Sequence, residues 1–232
     1  MTSQPAPFVI AIDGPSGSGK SSVSRAVATR LGAGYLDTGA MYRALTWWCR
    51  HTEVALGDAA AITAAAVALP LDIGDDPQAP SVTVDGTDVA ADIRTSEISS
   101  LVSTVATVPD VRVEMQRRQR ALIADIAARH GACVAEGRDV TTVIAPDAAV
   151  RILLTASEQA RLRRRSLEVH GATDEASIAA TRDQVVRRDR DDSTVSQFTE
   201  AADGVTVVDT SDLDFAGSID AVMSLVDAAR GR

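Results

Sequence analysis

Apolar and polar positions in this chain switch between two periods. Residues 8–13 (FVIAID) form an unbroken apolar run closed by an acid, the pattern of a strand buried on both faces. A glycine-rich turn follows. Val23, Val27 and Leu31 then recur at helical spacing up to a stop at Gly32. Residues 34–37 (GYLD) predict a second strand, and residues 38–51 a helix capped by Thr38. Further on, Pro109 fits the first turn of a long helix over 109–130 that ends at Gly131. Strands are expected at 132–136, 149–155 and 205–209, and helices at 157–169, 174–191 and 215–229. Five strands separated by such helices imply an α/β fold of three layers, with a central parallel sheet covered on both faces.

Residues 56–107 interrupt that alternation. An alanine-rich helix is expected at about 58–68, followed by a segment marked by Pro70, Pro77 and Pro80. SVTVDGTDV (81–89) alternates and carries Asp85-Gly86, a hairpin signal. A helix over 94–107 completes a block that reads as an inserted domain.

Composition narrows the class. Of 232 residues, 45% are hydrophobic and 24% charged, the balance of an ordinary globular protein and not of a disordered one. With aromatics at 3%, the core must be built from Val, Ile, Leu and Ala. A net charge of −9 argues against a nucleic-acid partner, whose footprint would be a basic face, but leaves room for a small anion held by local arginines. The longest apolar stretch, 59–71, falls short of the roughly 20 residues a membrane span needs. Residues 1–7 lack the basic start of a signal peptide, so a soluble, cytoplasmic protein is expected. Cys49 and Cys133 offer no disulfide framework or metal spacing, and His51, His130 and His170 lie far apart.

The cationic residues carry the first chemical signal. Of 23, 22 are Arg, and the sole lysine, Lys20, sits in Gly14-Pro15-Ser16-Gly17-Ser18-Gly19-Lys20-Ser21-Ser22. This matches G-x(4)-G-K-[ST], between a buried strand and an amphipathic helix. The glycines let backbone N–H groups converge on a phosphate at the helix's positive end. Lys20 reaches the β/γ-phosphates as a compact charge where a guanidinium fork would be too bulky, and Ser21 is placed to ligate Mg²⁺. A nucleoside triphosphate is therefore the expected ligand.

Three further groupings bear on what happens to it. Glu136 ends a strand where a metal-organising acid is expected, and Arg138-Asp139 follows at the sheet's C-terminal edge. Asp37, Thr38 and Arg43 follow the second strand, with Thr38 and Arg43 in reach of one anion. Arg161, Arg163, Arg164 and Arg165, then Arg187, Arg188 and Arg190, make two basic helices that are either solvated faces or a closing arm over transferring phosphates. A GTPase of the NKxD kind is excluded, because it would need a second lysine. A kinase acting on UMP, AMP or a metabolite hydroxyl, and a non-enzymatic nucleotide switch, remain alternatives on these residues alone.

Taken together, IDGPSGSGKSS (12–22), LDTGAMYRAL (36–45), VAADIRTSEIS (89–99), VRVEMQRRQR (111–120), EGRDVTTVIAPDA (136–148) and RRDRDDS (187–193) resemble the bacterial cytidylate kinases, P-loop nucleoside monophosphate kinases. The resemblance covers nearly the whole chain. It implies ATP as donor with Mg²⁺, CMP and dCMP as acceptors, and a monomer. Gly14 to Ser22 would hold the ATP phosphates. Thr38, Arg43 and Arg138 would hold the acceptor phosphate beside Asp37, and Ser103, Arg112 and Asp139 would read the cytosine edge. Arg94 would belong to the inserted CMP-binding domain, with Arg188 and Asp192 at the ribose. Lys20, Arg138, Arg164 and Arg188 would act in catalysis. Residues 1–55, 108–156 and 200–232 would form the core, 56–107 the insert, and 157–199 the lid with its flanking helices. This chain has Val195 where the family commonly has Arg, Thr38 where Ser is frequent, and Glu136 where Asp is. The Asp–Arg pair fits cytosine, since a carboxylate accepts from N4–H₂ and would face O4 of uracil acceptor to acceptor.

Overall fold

The structure, a computed structural model, describes residues 8–194, 196 and 198–231, and the side chains of all of these but residues 168, 183, 184, 186–188, 191 and 192. The elements in chain order are β1 (Phe8–Asp13), α1 (Lys20–Leu31), β2 (Gly34–Asp37), α2 (Thr38–His51), α3 (Ala59–Ala68), β3 (Leu71–Ile73), β4 (Val82–Val84), β5 (Thr87–Asp88) and α4 (Ser96–Ala106). They continue with α5 (Pro109–His130), β6 (Ala132–Gly137), β7 (Val150–Thr155), α6 (Glu158–His170), α7 (Glu175–Ser193), β8 (Thr206–Asp209) and α8 (Phe215–Arg230).

Five strands form a parallel sheet in the order β2-β6-β1-β7-β8, the α/β architecture that the alternating pattern predicts. The apolar run of β1 lies at its centre, which is why both of its faces are apolar. Ile10 and Ile12 point to one side and pack with Val23 and Val27 of α1 and Val222 and Val226 of α8. Ala11 points to the other side, into a larger cluster with Met41 and Leu45 of α2 and Met115 and Ile123 of α5. Among the described residues, no helix is long and apolar enough to cross a membrane.

Residues between α2 and α5 add a second, antiparallel sheet in the order β3-β4-β5. Its β4–β5 hairpin turns at Asp85 (φ 48°) and Gly86 (φ 75°), the double positive φ that Asp-Gly serves. Strand β3 falls inside the proline-marked segment and is not expected from the pattern. Three residues between Pro70 and Gly74 carry no period of their own, and only their pairing with β4 makes them a strand. A second difference concerns Thr38. The cap of α2 is Asp37, whose Oδ1 accepts the Ala40 N–H at 2.9 Å, while Thr38 is the first helical residue. Its hydroxyl is drawn instead to the neighbouring strand.

The C-terminal ends of β1, β2 and β6 come together at one edge of the sheet, because β1 is flanked by β6 and β6 by β2. At that edge an open αβ sheet presents ligand sites.

Candidate functional site

The loop from β1 to α1 follows from its glycines. Gly19 caps α1 in the left-handed region (φ 86°), so the helix starts at Lys20 with its first N–H groups turned toward the loop. Gly17 has φ 77°, and a Cβ there would stand 2.6 Å from the Arg161 carbonyl oxygen, so α6 packs directly on the loop backbone. Lys20 Nζ lies 3.5 Å from the Pro15 carbonyl oxygen. Ser18 is buried, and its hydroxyl has no hydrogen-bond partner among the described residues.

This loop forms one wall of a cleft of about 180 Å³. Ser16, Gly17, Gly19, Lys20, Ser21 and Ser22 line it from the loop side, and Asp37, Gly39, Arg43, Arg94, Glu136, Gly137, Arg138 and Arg165 from the others. Glu136 is buried and accepts a hydrogen bond from the Tyr35 hydroxyl at 2.7 Å. Burial, and then the nearby Asp37, push its carboxyl up, against the pull of Lys20 and a hydrogen bond from Ser21. Asp13, at the end of β1, is occupied otherwise. Its carboxylate accepts from the backbone N–H groups of Val140 (3.0 Å) and Thr141 (2.8 Å) and from the Thr141 hydroxyl (2.6 Å), which fixes the turn after β6.

A smaller cavity of about 50 Å³ adjoins the cleft and shares Gly39, Gly137 and Arg138 with it. Thr38, Tyr42, Val102, Ala106, Arg112, Asp139 and Ser196 complete its lining. Arg112 on α5 donates to Asp139 at 2.6 Å, and both side chains are largely buried. Burial pushes the Asp139 carboxyl up, and Arg112 opposes that shift. Tyr42, also buried, lines the cavity with a hydroxyl that finds no partner among the described residues. Such an orphaned donor, in a cavity that also holds the Arg112–Asp139 pair, points to a ligand that completes it.

The remaining predicted residues do not all face the two cavities. Thr38 donates to the Glu136 carbonyl at 2.7 Å, tying α2 to β6. Arg43 reaches the Ile93 carbonyl (3.0 Å) and the Ser99 hydroxyl (2.8 Å), and Arg94 reaches Asp37 at 3.3 Å, so both join the core to the 56–107 block while facing the cleft. Ser103 stands on α4 between Val102 and Ala106, beside the small cavity without lining it. Arg164 does not line the cleft but holds the loop from behind, its guanidinium donating to the Ser18 carbonyl at 3.3 Å. It also donates to Thr210 Oγ1 (2.9 Å), the Thr210 carbonyl (2.6 Å) and the Leu213 carbonyl (3.3 Å), clamping α6 to the end of β8. Arg165 lines the cleft in its place, and Arg161 stands against the loop, donating to the Ser16 carbonyl at 2.9 Å. The side chains of Arg188 and Asp192, and the whole of Val195, lie outside the described residues.

Several site residues were not singled out by sequence reasoning. Tyr35 lies in the short strand 34–37, and Tyr42 lies inside the Asp37–Arg43 grouping with no role of its own assigned to it. Asp189, which holds Arg138 and Arg161, is hidden in a charge run.

Known proteins agree on what this constellation belongs to. The profile describing cytidylate kinases matches residues 10–228. The chain is 48% identical over 224 residues to a Streptomyces avermitilis protein named cytidylate kinase, covering 96% of this chain and 94% of that one. A Cutibacterium acnes protein of the same name is 47% identical over 226 residues, with 95% and 96% covered. Among solved structures, an uncharacterized protein from Eubacterium ventriosum aligns with a TM-score of 0.51 at 12% identity, covering 95% of this chain and 99% of that one, a likeness of fold alone. With its phosphate loop, its Arg112–Asp139 pocket and this match over most of its length, the chain belongs to the cytidylate kinase family.

Proposed function

We propose that this chain transfers the γ-phosphoryl group of ATP to CMP, and to dCMP, yielding ADP and CDP or dCDP. The observation that carries the reading is the pair of adjoining cavities that meet at Arg138. One is walled by the phosphate loop, and the other holds a buried Arg–Asp pair suited to cytosine. Asp139 accepts from the cytosine N4–H₂ group, and Arg112 donates to the ring's acceptors. Thr38, Arg43 and Arg138, beside Asp37, take the acceptor phosphate, Arg94 faces it from the insert, and Ser103 assists at the base edge.

The transfer is direct and in line. The bond from the γ-phosphorus to the β,γ-bridging oxygen breaks as a bond to an acceptor phosphate oxygen forms. That oxygen is already anionic, so no general base is required. Lys20 follows the migrating charge from the loop side, and Arg138 meets it from the acceptor side. Arg164 and Arg188 were expected in that role from the resemblance. Arg165 lines the cleft, and Arg161 and Arg164 each donate to a loop carbonyl, so these three arginines of α6 take the charge-stabilising part in this reading. Arg188 and Asp192 rest on the resemblance alone.

The Ser21 hydroxyl lines the cleft with Asp37 and Glu136, an oxygen donor set that fits a hard cation. Magnesium bound there would supply charge neutralisation on the donor phosphates. The insert (56–107) and the lid (157–199) work against the core as moving parts in this reading, in a monomer in the cytoplasm. The two cysteines stay out of the chemistry, since burial pushes the Cys49 thiol up to about 11 and that of Cys133 up to about 12.

A panel of monophosphates in an ADP-release assay tests the reading. ADP formation should depend on acceptor and be fastest with CMP and dCMP. Equal rates with UMP or AMP, or ADP release without an acceptor, would overturn it.

A further inference from the structure

One buried charge has no part in the chemistry above. Asp189 lies on α7, far in sequence from the phosphate loop, yet three donors from three other segments converge on its carboxylate. The Ser16 backbone N–H donates to Oδ1 at 3.0 Å, and Arg138 donates to the same oxygen at 3.3 Å. Arg161 of α6 donates to Oδ2. Both guanidiniums also hold the loop directly, Arg138 through the Gly14 carbonyl and Arg161 through the Ser16 carbonyl. The side chains of Arg138, Arg161 and Asp189 are each only 14% exposed.

Two guanidiniums shielded from water repel each other, and one carboxylate between them lets both stand at the loop. The cluster also closes a ring of elements. Gly17 lets α6 touch the loop, Arg161 joins α6 to α7 through Asp189, and Asp189 joins α7 to the turn after β6 and back to the loop. Arg138 is further held by the ring of Phe198, 4.4 Å below its guanidinium carbon. Arg138 and Arg161 each have a second anchor on the loop, and the carboxylate is where the four segments meet.

We propose that Asp189 is a positioning residue, binding α6, α7, Arg138 and the phosphate loop into one unit so that the guanidiniums on the donor and acceptor sides are aimed together. It acts through Arg138 and Arg161 and touches neither nucleotide. The inference rests on the phosphotransfer reading above and adds to it the group that aligns the two halves of the site. A carboxylate there sets alignment and not affinity, so its loss should appear in turnover and not in acceptor binding.

The test is Asp189→Asn in the full chain, with Asp189→Glu and Arg161→Gln beside it. Asn keeps the shape and one acceptor but removes the charge that joins the arginines. The expected result is a fall in kcat on the order of 10²-fold with the CMP KM within about three-fold of the parent. Asp189→Glu should recover part of the loss. The double variant Asp189→Asn/Arg161→Gln should be no worse than the poorer single one, because both break the same unit. Amide hydrogen exchange gives a readout independent of activity. Peptides covering the loop and α6 should speed up together in Asp189→Asn, and likewise in Arg161→Gln should the Asn variant fail to fold. A kcat within two-fold of the parent, losses that multiply in the double variant, or faster exchange confined to α7 would overturn the proposal. The parent chain runs in the same assay. If it makes no ADP in response to CMP, the phosphotransfer reading falls, and the exchange result still decides the role of Asp189 in joining the segments.

Discussion

The two cavities that meet at Arg138 are built in opposite ways. The wall that faces the triphosphate is one contiguous run of residues whose donors are mostly backbone N–H groups, set by glycine conformation and the start of α1. The base pocket takes its lining from α2, α4, α5, the turn after β6 and the segment after α7, and its polar groups are side chains. Backbone recognition suits a phosphate, which every nucleoside triphosphate shares. Side-chain recognition suits a base, whose edge must be told from similar edges. The difference predicts separable failures. Damage to the loop should remove turnover for every acceptor, and damage to the pocket should change which acceptor is used.

Lys20→Ala should break the donor half most severely. Its kcat should fall about 10²- to 10³-fold, the usual cost of removing a group that meets developing charge, with every acceptor affected alike. Steady-state kinetics with CMP and dCMP would check this, and a loss confined to one acceptor would blur the contrast. The next effect is at the base. Asp139→Asn replaces an acceptor by a donor at the edge that meets N4, so kcat/KM for CMP should fall on the order of 10²-fold. The preference over UMP should narrow, and binding of an ATP analogue, followed by calorimetry, should be retained.

Gly137→Ala strikes the seam between the two halves. Its Cβ would stand 2.3 Å from the Thr38 hydroxyl and 2.8 Å from a Val140 methyl, so the Thr38 bond to the Glu136 carbonyl must give way. Overpacking of this kind costs about 1–3 kcal/mol, visible in thermal melting, and the CMP KM should rise more than that of ATP.

The smallest effect is one of pH. Recognition by Asp139 needs its carboxylate, whose pKa burial holds above the ordinary range. Recognition is therefore complete above that raised value and is lost as pH falls through it. The CMP KM should climb on acidification sooner than an ordinary carboxylate would allow, and the ATP KM should not follow. Asp139→Asn should remove the climb.

The same contrast explains what could be read in the amino-acid order. The loop is legible because its chemistry is local, and a single lysine among 22 arginines marks it. The strands of the main sheet are legible because burial on both faces leaves continuous apolar runs. Strand β3 is not, because three residues acquire their state from a partner nine or more positions away. The arginines of α6 show the limit most clearly. Four guanidiniums in little more than one turn differ only in helical phase. Docking on the loop and on β8 sends Arg165 into the cleft, Arg161 to the Ser16 carbonyl, and Arg164 to the carbonyls of both Ser18 and Thr210. Asp189 is silent for the same reason, as one acid among many until the fold sets it between two arginines.

The strand order has a consequence in time. β1, which carries the phosphate loop at its end, pairs in the sheet with β6 and β7, and Phe8 meets Ala132. During synthesis at roughly 5–20 residues per second, about 6–25 s pass between the emergence of β1 and that of its first neighbour. Through that interval an apolar run stays unpaired and the loop has no sheet to hold it, a delay typical of long-range parallel pairing. Nascent chains stalled before residue 132 should not retain ATP, and chains extended through β7 should begin to. The segment that was easiest to recognise is thus among the last to become a site.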